Sequence, residues 1–255
     1  MGQILAIVNQ KGGVGKTTTT VNLAAYLAKN RKKTLLLDAD PQGNSTSGIG
    51  KVKKSLDLTS YDVLINQTPI RDVILETGRK HLSLCPSNIN LAGAEVELVS
   101  VVSRETRLKQ ALEPIQKEYD FILIDCPPSL GLITINALTA ATGVLVPIQS
   151  EYYALEGLTQ LMETVNLVRQ QLNPSLDIFG VLMTMYDKRT QLARQVAEDV
   201  QNVFGEKVFR TIIPRNVRLS EAPSFGLTIL EYDKKSKGSG AYSDLAREVI
   251  KRAGR

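Results

Sequence analysis

The chain has 255 residues, 43% of them hydrophobic and 22% charged, with a formal net charge of +5. Those fractions fit a globular protein and exclude disordered, collagenous and disulfide-framework classes, and the length suits one large α/β domain over 1–255. The two cysteines, Cys85 and Cys126, offer neither a disulfide framework nor metal-ligand spacing, which points to a reduced, cytoplasmic setting. No apolar stretch reaches the roughly 18 residues needed to span a bilayer, and the N-terminus enters a strand pattern at once, unlike a signal peptide.

In chain order, apolar β-rich runs at Ile4–Val8, Thr34–Asp38, Leu82–Pro86, Phe121–Asp125, Gly143–Ile148, Ile178–Met185 and Val208–Ile213 read as strands. Near-continuous apolar character, as in Phe121-Ile122-Leu123-Ile124, is what a parallel strand covered on both faces requires. Amphipathic helices fall between them. One runs from about Glu151 to Leu172, with Leu155, Leu158, Leu161, Val165, Val168 and Leu172 on one stripe. A second follows Thr190, with Leu192, Val196, Val200 and Val203 buried, and a third covers Tyr242–Arg252. Residues 44–81 are the least regular and read as an excursion around the sheet. This alternation predicts an α/β, doubly wound, mostly parallel sheet with helices on both faces. Ligands of such sheets bind at the carboxyl ends of the strands.

Directly after the first strand stands Gln10-Lys11-Gly12-Gly13-Val14-Gly15-Lys16-Thr17-Thr18. Glycines let the backbone turn tightly enough for its N–H groups to cradle phosphate oxygens at the positive end of the next helix. Lys16 supplies a charge to the β- and γ-phosphates, and the Thr17 hydroxyl is placed for Mg²⁺. Gln10 stands where the usual phosphate loop has its first glycine. With Lys16 already committed, Lys11 is free for another phosphate.

The second strand ends Leu37-Asp38-Ala39-Asp40-Pro41-Gln42-Gly43-Asn44. Two carboxylates two residues apart at a strand end point to one side, where they can hold Mg²⁺-bound water and orient an attacking water. The run Ile122-Leu123-Ile124-Asp125 is a Walker B pattern, with Asp125 reaching the metal shell. Cys126 reads as a small buried filler. His81, the single histidine, reads as surface or structural, so histidine acid–base chemistry has little support.

Charge is unevenly placed. Residues 1–185 hold 17 Lys/Arg and 17 Asp/Glu, and the last 70 hold 14 against 9, which points to an anionic partner for the C-terminal part. Lys188-Arg189 opens the helix after Thr190 in this reading, so Arg189 and Arg194 cannot both be hidden. Aromatic residues that could stack single-stranded bases are missing there, which favours phosphate contacts to duplex DNA over base reading.

These segments, with Ile124–Leu138, Glu151–Gly157 and Ile213–Ser224, resemble the ParA/Soj family of chromosome and plasmid partitioning ATPases, which carry a deviant Walker A loop on a P-loop NTPase-like fold. The resemblance covers nearly the whole chain. It implies an ATP-dependent homodimer in which Lys11 reaches phosphates held by the other subunit. Gly12, Gly13, Val14, Gly15, Lys16, Thr17 and Thr18 would bind the nucleotide within one subunit, with Thr17 on Mg²⁺. Asp40 would position the hydrolytic water, Asp38 and Asp125 would support the metal, and Pro214 and Asn216 would contact the adenine end. Arg189 and Arg218 would bind DNA without sequence preference in the ATP state, placing the protein on the nucleoid. A ParB/Spo0J-type partner would stimulate hydrolysis. A MinD-like membrane-surface ATPase is the alternative, but the tail Lys251-Arg252-Ala253-Gly254-Arg255 has nothing large to insert into lipid. A metabolic enzyme on the same fold, an iron–sulfur reductase or an ATP-dependent ligase, is the other; Cys126 before Pro127-Pro128 looks wrong for a cluster.

Overall fold

The computed structural model describes residues 2–151 and 154–254. Among them, strands β1 (Gln3–Ile7), β2 (Thr34–Asp38), β3 (Leu75–Glu76), β4 (Leu82–Cys85), β5 (Phe121–Asp125), β6 (Gly143–Gln149) and β7 (Ile178–Thr184) form one sheet. Its order is β3-β4-β2-β5-β1-β6-β7, parallel throughout except where β3 joins β4. From β1 the chain travels first to one side and later to the other, so the order reverses beside the end of β1. A crevice at the carboxyl edge is expected at such a point.

The helices in chain order are α1 (Lys16–Lys29), α2 (Asn44–Gly48), α3 (Ser60–Leu64), α4 (Ile70–Val73), α5 (Leu91–Glu97), α6 (Arg107–Leu112), α7 (Leu132–Ala140), α8 (Ala154–Gln171), α9 (Gln191–Phe204), α10 (Val217–Glu221), α11 (Ile229–Tyr232) and α12 (Lys237–Ala253). Side chains alternate across each strand, so β1 sends Leu5 and Ile7 to one layer and Ile4 and Ala6 to the other. The first layer is built on α1 and α12, with Leu23, Leu27, Leu245 and Val249. The second is built on α3 to α9, with Leu112, Leu138, Leu161 and Val165. In α1 Val21–Ala28 is buried all round, because the sheet lies beneath it and α12, α11 and α2 close its flanks. Asn22 within it accepts the Ile229 amide (2.7 Å), which ties α11 to the nucleotide-side helix.

Several sequence expectations need correction. Val208–Ile213 is not a continuous strand: it meets the β7 edge at an isolated Val181–Val208 bridge and through the Phe209 and Ile213 amides, which donate to Val181 O (2.8 Å) and Met183 O (2.9 Å), with a second bridge, Tyr186–Pro214, just beyond it. The reason is a competing acceptor, since the Arg210 and Thr211 amides donate to the Glu248 carboxylate (3.0 Å each) instead of to a ladder. Phe209 and Ile213 still anchor the segment in the core. In α9 the buried stripe is Ala193, Val196 and Val200, while Leu192 and Val203 face outward. Thr190 caps that helix by accepting the Ala193 amide (3.3 Å), so Lys188 and Arg189 lie in the turn before it. The last helix starts at Lys237, earlier than its apolar seam suggested, under a Ser236 cap. The 44–81 excursion holds α2, α3, α4 and the antiparallel β3, which has no alternating signal at two residues. Helix α8 is described from Ala154; Tyr152 and Tyr153 lie outside the described residues, as do the side chains of Ala154, Leu155 and Glu156.

Candidate functional site

The loop between β1 and α1 is held from outside before it holds anything itself. Asn9 donates to Pro147 O (2.8 Å) and accepts the Lys11 amide (3.0 Å). Thr184, the last residue of β7, donates to Val14 O (2.8 Å). Gly13 (φ 77°) and Gly15 (φ 87°) occupy the left-handed region, which most side chains resist. Gly15 then starts α1 with no capping side chain and no acid in the first turn. Helix-start N–H groups without a side-chain cap form an anion site. Gly12, Gly13, Val14, Gly15, Lys16, Thr17 and Thr18 thus stand together at the switch point of the sheet.

The two lysines are divided between inside and outside. Lys16 is buried, and its ammonium donates to Lys11 O (3.1 Å), so it folds back over the loop. Burial holds its pKa below the ordinary lysine value, against the nearby carboxylates of Asp125 and Asp40. Lys11 points the other way and forms an ion pair with Glu151, both side chains being roughly half-exposed. Gln10 donates to Gly157 O (3.1 Å), so the loop also grips the start of α8.

Register brings the acids together. Asp38 and Asp125 are Cα partners across β2 and β5, and both are fully buried. Asp125 Oδ1 accepts from Thr20 (3.2 Å) and Oδ2 from Ser45 (2.8 Å). Asp38 Oδ2 accepts the Thr46 amide (2.8 Å) and hydroxyl (2.7 Å), and Oδ1 the Asp40 amide (3.2 Å). Burial first, then the charge of Asp125, raises Asp38 to about 7. Burial likewise raises Asp125 to about 6, opposed by the Ser45, Thr17 and Thr20 hydroxyls. Two carboxylates so placed cannot both ionise cheaply unless a cation joins them.

Asp40 sits just beyond the strand. Its Oδ1 accepts the Gln42 amide (2.9 Å) and its carbonyl accepts the Gly43 amide (2.8 Å), which fixes the turn into α2. Asp38 and Asp40 stay in contact, the Asp40 amide donating to Asp38 Oδ1, and they divide the local work, with Asp38 anchoring α2 and Asp40 leading the turn. Cys126 is buried and its thiol is pushed far up by that burial, in keeping with a filler. His81 lies in the turn before β4 with φ 67°, where its carbonyl accepts the Thr34 amide at the start of β2 (2.9 Å), so it stands at the amino ends of the strands and these groups at the carboxyl ends.

Pro214 pairs with Tyr186 just past β7, the strand whose Thr184 holds the loop, so Pro214 and Asn216 reach the same sheet edge. Asn216 starts α10 by accepting the Arg218 amide (2.9 Å). Arg218 pairs with Glu221 (2.8 Å) and more loosely with Asp233 (3.7 Å). Arg189 is 84% exposed and grips Asp187 (2.6 Å). The two arginines therefore stand on separate turns, each partly neutralised.

Sequence reading missed several contributors: Ser45 and Thr46, which with Thr20 hold the two buried acids; Asn9 and Thr184, which hold the loop; and Glu151, which holds Lys11. Only the first two left a local signal, as hydroxyl residues opening a helix after Gly43.

Residues 2–178 match a family model described as an AAA domain. The chain is 57% identical over 249 residues to the sporulation initiation inhibitor protein Soj of Bacillus subtilis, covering 98% of each chain. It is 54% identical over 254 residues to the chromosome-partitioning ATPase Soj of Treponema pallidum, covering 100% of this chain and 99% of the other. Among solved structures it resembles cobyrinic acid a,c-diamide synthase of Mycobacterium smegmatis with bound ADP and magnesium, at TM-score 0.87 and 38% identity, covering 100% of this chain and 97% of that one. Seven strands in this order, a double-lysine phosphate loop at their switch point and full-length identity above one half together place the chain in the ParA/Soj family of chromosome-partitioning ATPases.

Proposed function

We propose that residues 1–255 act as one ATPase domain that dimerises on ATP, binds duplex DNA without sequence preference in that state, and moves a chromosome or plasmid with a ParB/Spo0J-type partner. The observation that carries this reading is the division of the lysines. Lys16 already covers the inside of the loop, and Lys11 stands outside it on a half-exposed ion pair. A charge held outside its own site can serve a neighbour's.

In the proposed complex ATP lies along residues 12–18, with its adenine end towards Pro214 and Asn216. Hard oxygen donors suit Mg²⁺. The Thr17 hydroxyl would hold the ion, with Asp125 and its cross-strand neighbour Asp38 behind it. The ion supplies charge neutralisation for phosphoryl transfer. Asp40 would orient the attacking water from a turn that its own backbone fixes. Lys11 of each subunit would reach the phosphates of the other, which makes turnover depend on association.

Arg189 and Arg218, with the basic surplus of the last 70 residues, would contact DNA phosphates. Such contacts double when two copies form one body, without a second cost of association. A nucleoid position in the cytoplasm follows. Against lipid insertion stands the packing of α12, whose Tyr242, Leu245, Ala246 and Val249 are buried. None of the described helices is long and apolar enough to cross a membrane. A mobility-shift series on unrelated duplexes, with and without ATP and Mg²⁺, tests the reading. ATP-dependent shifts of equal strength on every duplex are expected; equal binding without nucleotide overturns it.

A further inference from the structure

Met185, directly after β7 at the carboxyl edge of the sheet, holds its backbone in the left-handed region with φ 48°. A methionine there is uncommon and strained, and such strain persists only where the surroundings fix it. Both neighbours are fixed. The Ile213 amide donates to Met183 O (2.9 Å), Thr184 donates to Val14 O (2.8 Å), and the Tyr186 amide donates to Ile213 O (3.1 Å). The kink brings the side chain to the phosphate loop: a Cβ placed on Gly15 would stand 4.0 Å from Met185 Cε. Met185 stays partly exposed there and, among the described residues, joins neither apolar layer of the core.

Core packing therefore does not offset the strain at this position, which points to a ligand. Tyr186, the next residue, bridges to Pro214, so Met185 stands between the loop and the Pro214–Asn216 segment. A thioether is polarisable and packs favourably against aromatic rings. We propose that Met185 contacts the base of the bound nucleotide, with its thioether against the purine ring and the left-handed backbone holding it there. This rests on the placement given above, with phosphates along residues 12–18 and the adenine end towards Pro214 and Asn216. A thioether reads no strong hydrogen-bond pattern, so Met185 adds affinity for an aromatic base and does not choose among bases.

Calorimetric titration of the full chain with Mg²⁺–ADP and with Mg²⁺–pyrophosphate, which lacks base and ribose, tests the proposal without hydrolysis. Met185→Ala should weaken ADP roughly three- to ten-fold, the scale of a sulfur–aromatic contact, and leave pyrophosphate within about two-fold. Met185→Leu, which keeps an apolar side chain of similar size, should retain most of the ADP affinity. Unchanged ADP binding by Met185→Ala overturns the proposal. So does an equal loss of both ligands, because Met185 would then only support the loop. The parent tests the underlying placement separately: ADP bound no more tightly than pyrophosphate refutes a base contact at this edge altogether. Should Met185→Ala fold poorly, methionine-methyl labelling of the parent decides, with Met185→Leu identifying the resonance. The ring current of the purine should move the Met185 methyl with ADP and not with pyrophosphate; the same response to both overturns the proposal.

Discussion

Lys11 and Glu151, 140 positions apart in sequence, meet as an ion pair at the rim of the phosphate loop. Both side chains keep much of their exposure, so the pair contributes at most about 1 kcal/mol and is screened by salt. Lys11 is thus held, yet released at low cost when a triphosphate offers more charge. Glu151→Gln should change thermal stability by no more than a few degrees and lower the ATP concentration at which dimers form. Sizing across an ATP titration checks this; a variant needing more ATP than the parent counts against the latch.

Lys11→Ala should keep ATP binding and lose both dimerisation and turnover, since its charge serves the neighbouring site. Lys16→Ala should lose ATP binding itself. Because Lys16 is a buried ammonium bonded to the Lys11 carbonyl, its removal should leave the ligand-free melting temperature unchanged or raised. Nucleotide binding and melting curves on both variants distinguish the roles. A Lys11→Ala monomer hydrolysing at the parent rate would refute the shared-site arrangement.

Asp40→Ala should lower turnover by a factor of 10² or more while leaving ATP affinity within roughly three-fold, because an orienting carboxylate acts mainly in the transition state. The variant should persist as an ATP dimer where the parent is transient. Failure to bind ATP would instead assign Asp40 to the ground state and turn attention to Asp38.

Burial raises Asp38 to about 7 and Asp125 to about 6, so the folded, ligand-free chain holds protons that an unfolded chain has released. Their contribution to stability therefore improves as pH falls from 8 through 6, and levels off near the unfolded carboxylate value of about 4. A cation between them favours the ionised pair and reverses the trend. Melting at pH 8 and pH 6 should show the ligand-free protein gaining on acidification and the Mg²⁺–nucleotide complex gaining less or losing. Identical profiles in both states would contradict the role given to the pair.

Arg189 spends part of its charge on Asp187. Arg189→Ala should weaken DNA binding on all sequences alike and flatten the log–log salt dependence by roughly 0.9 per lost phosphate contact in each subunit. Asp187→Asn should strengthen binding at low salt by freeing the guanidinium. Titrations of unrelated duplexes across salt measure both. Normal binding by the Arg189 variant would remove that residue from the interface.

Much of this protein was legible locally. Strands buried on both faces need unbroken apolar runs, so Phe121–Asp125 and Thr34–Asp38 announced themselves, and a glycine loop between strand and helix has few physical uses other than phosphate. Where a segment's backbone had two possible partners, local pattern failed. Val208–Ile213 has a strand's composition, yet Glu248, well beyond it in sequence, captures two of its amides. Leu192 and Val203 lie on an apolar repeat, but α9 rotates to bury Ala193 with Val196 and Val200 instead. The acids were visible as residue types; that Asp38 and Asp125 lie side by side, each held by a hydroxyl from the start of α2, follows from strand register. The pairing of Lys11 with Glu151 likewise exists only because β6 lies beside β1 and delivers its exit loop to the rim of the site. Composition and spacing determined which chemistry this chain carries, because those depend on residue types a few positions apart. Which charges face each other, and hence which are free to act, was decided by the sheet order, because electrostatic partnership depends on distance in space.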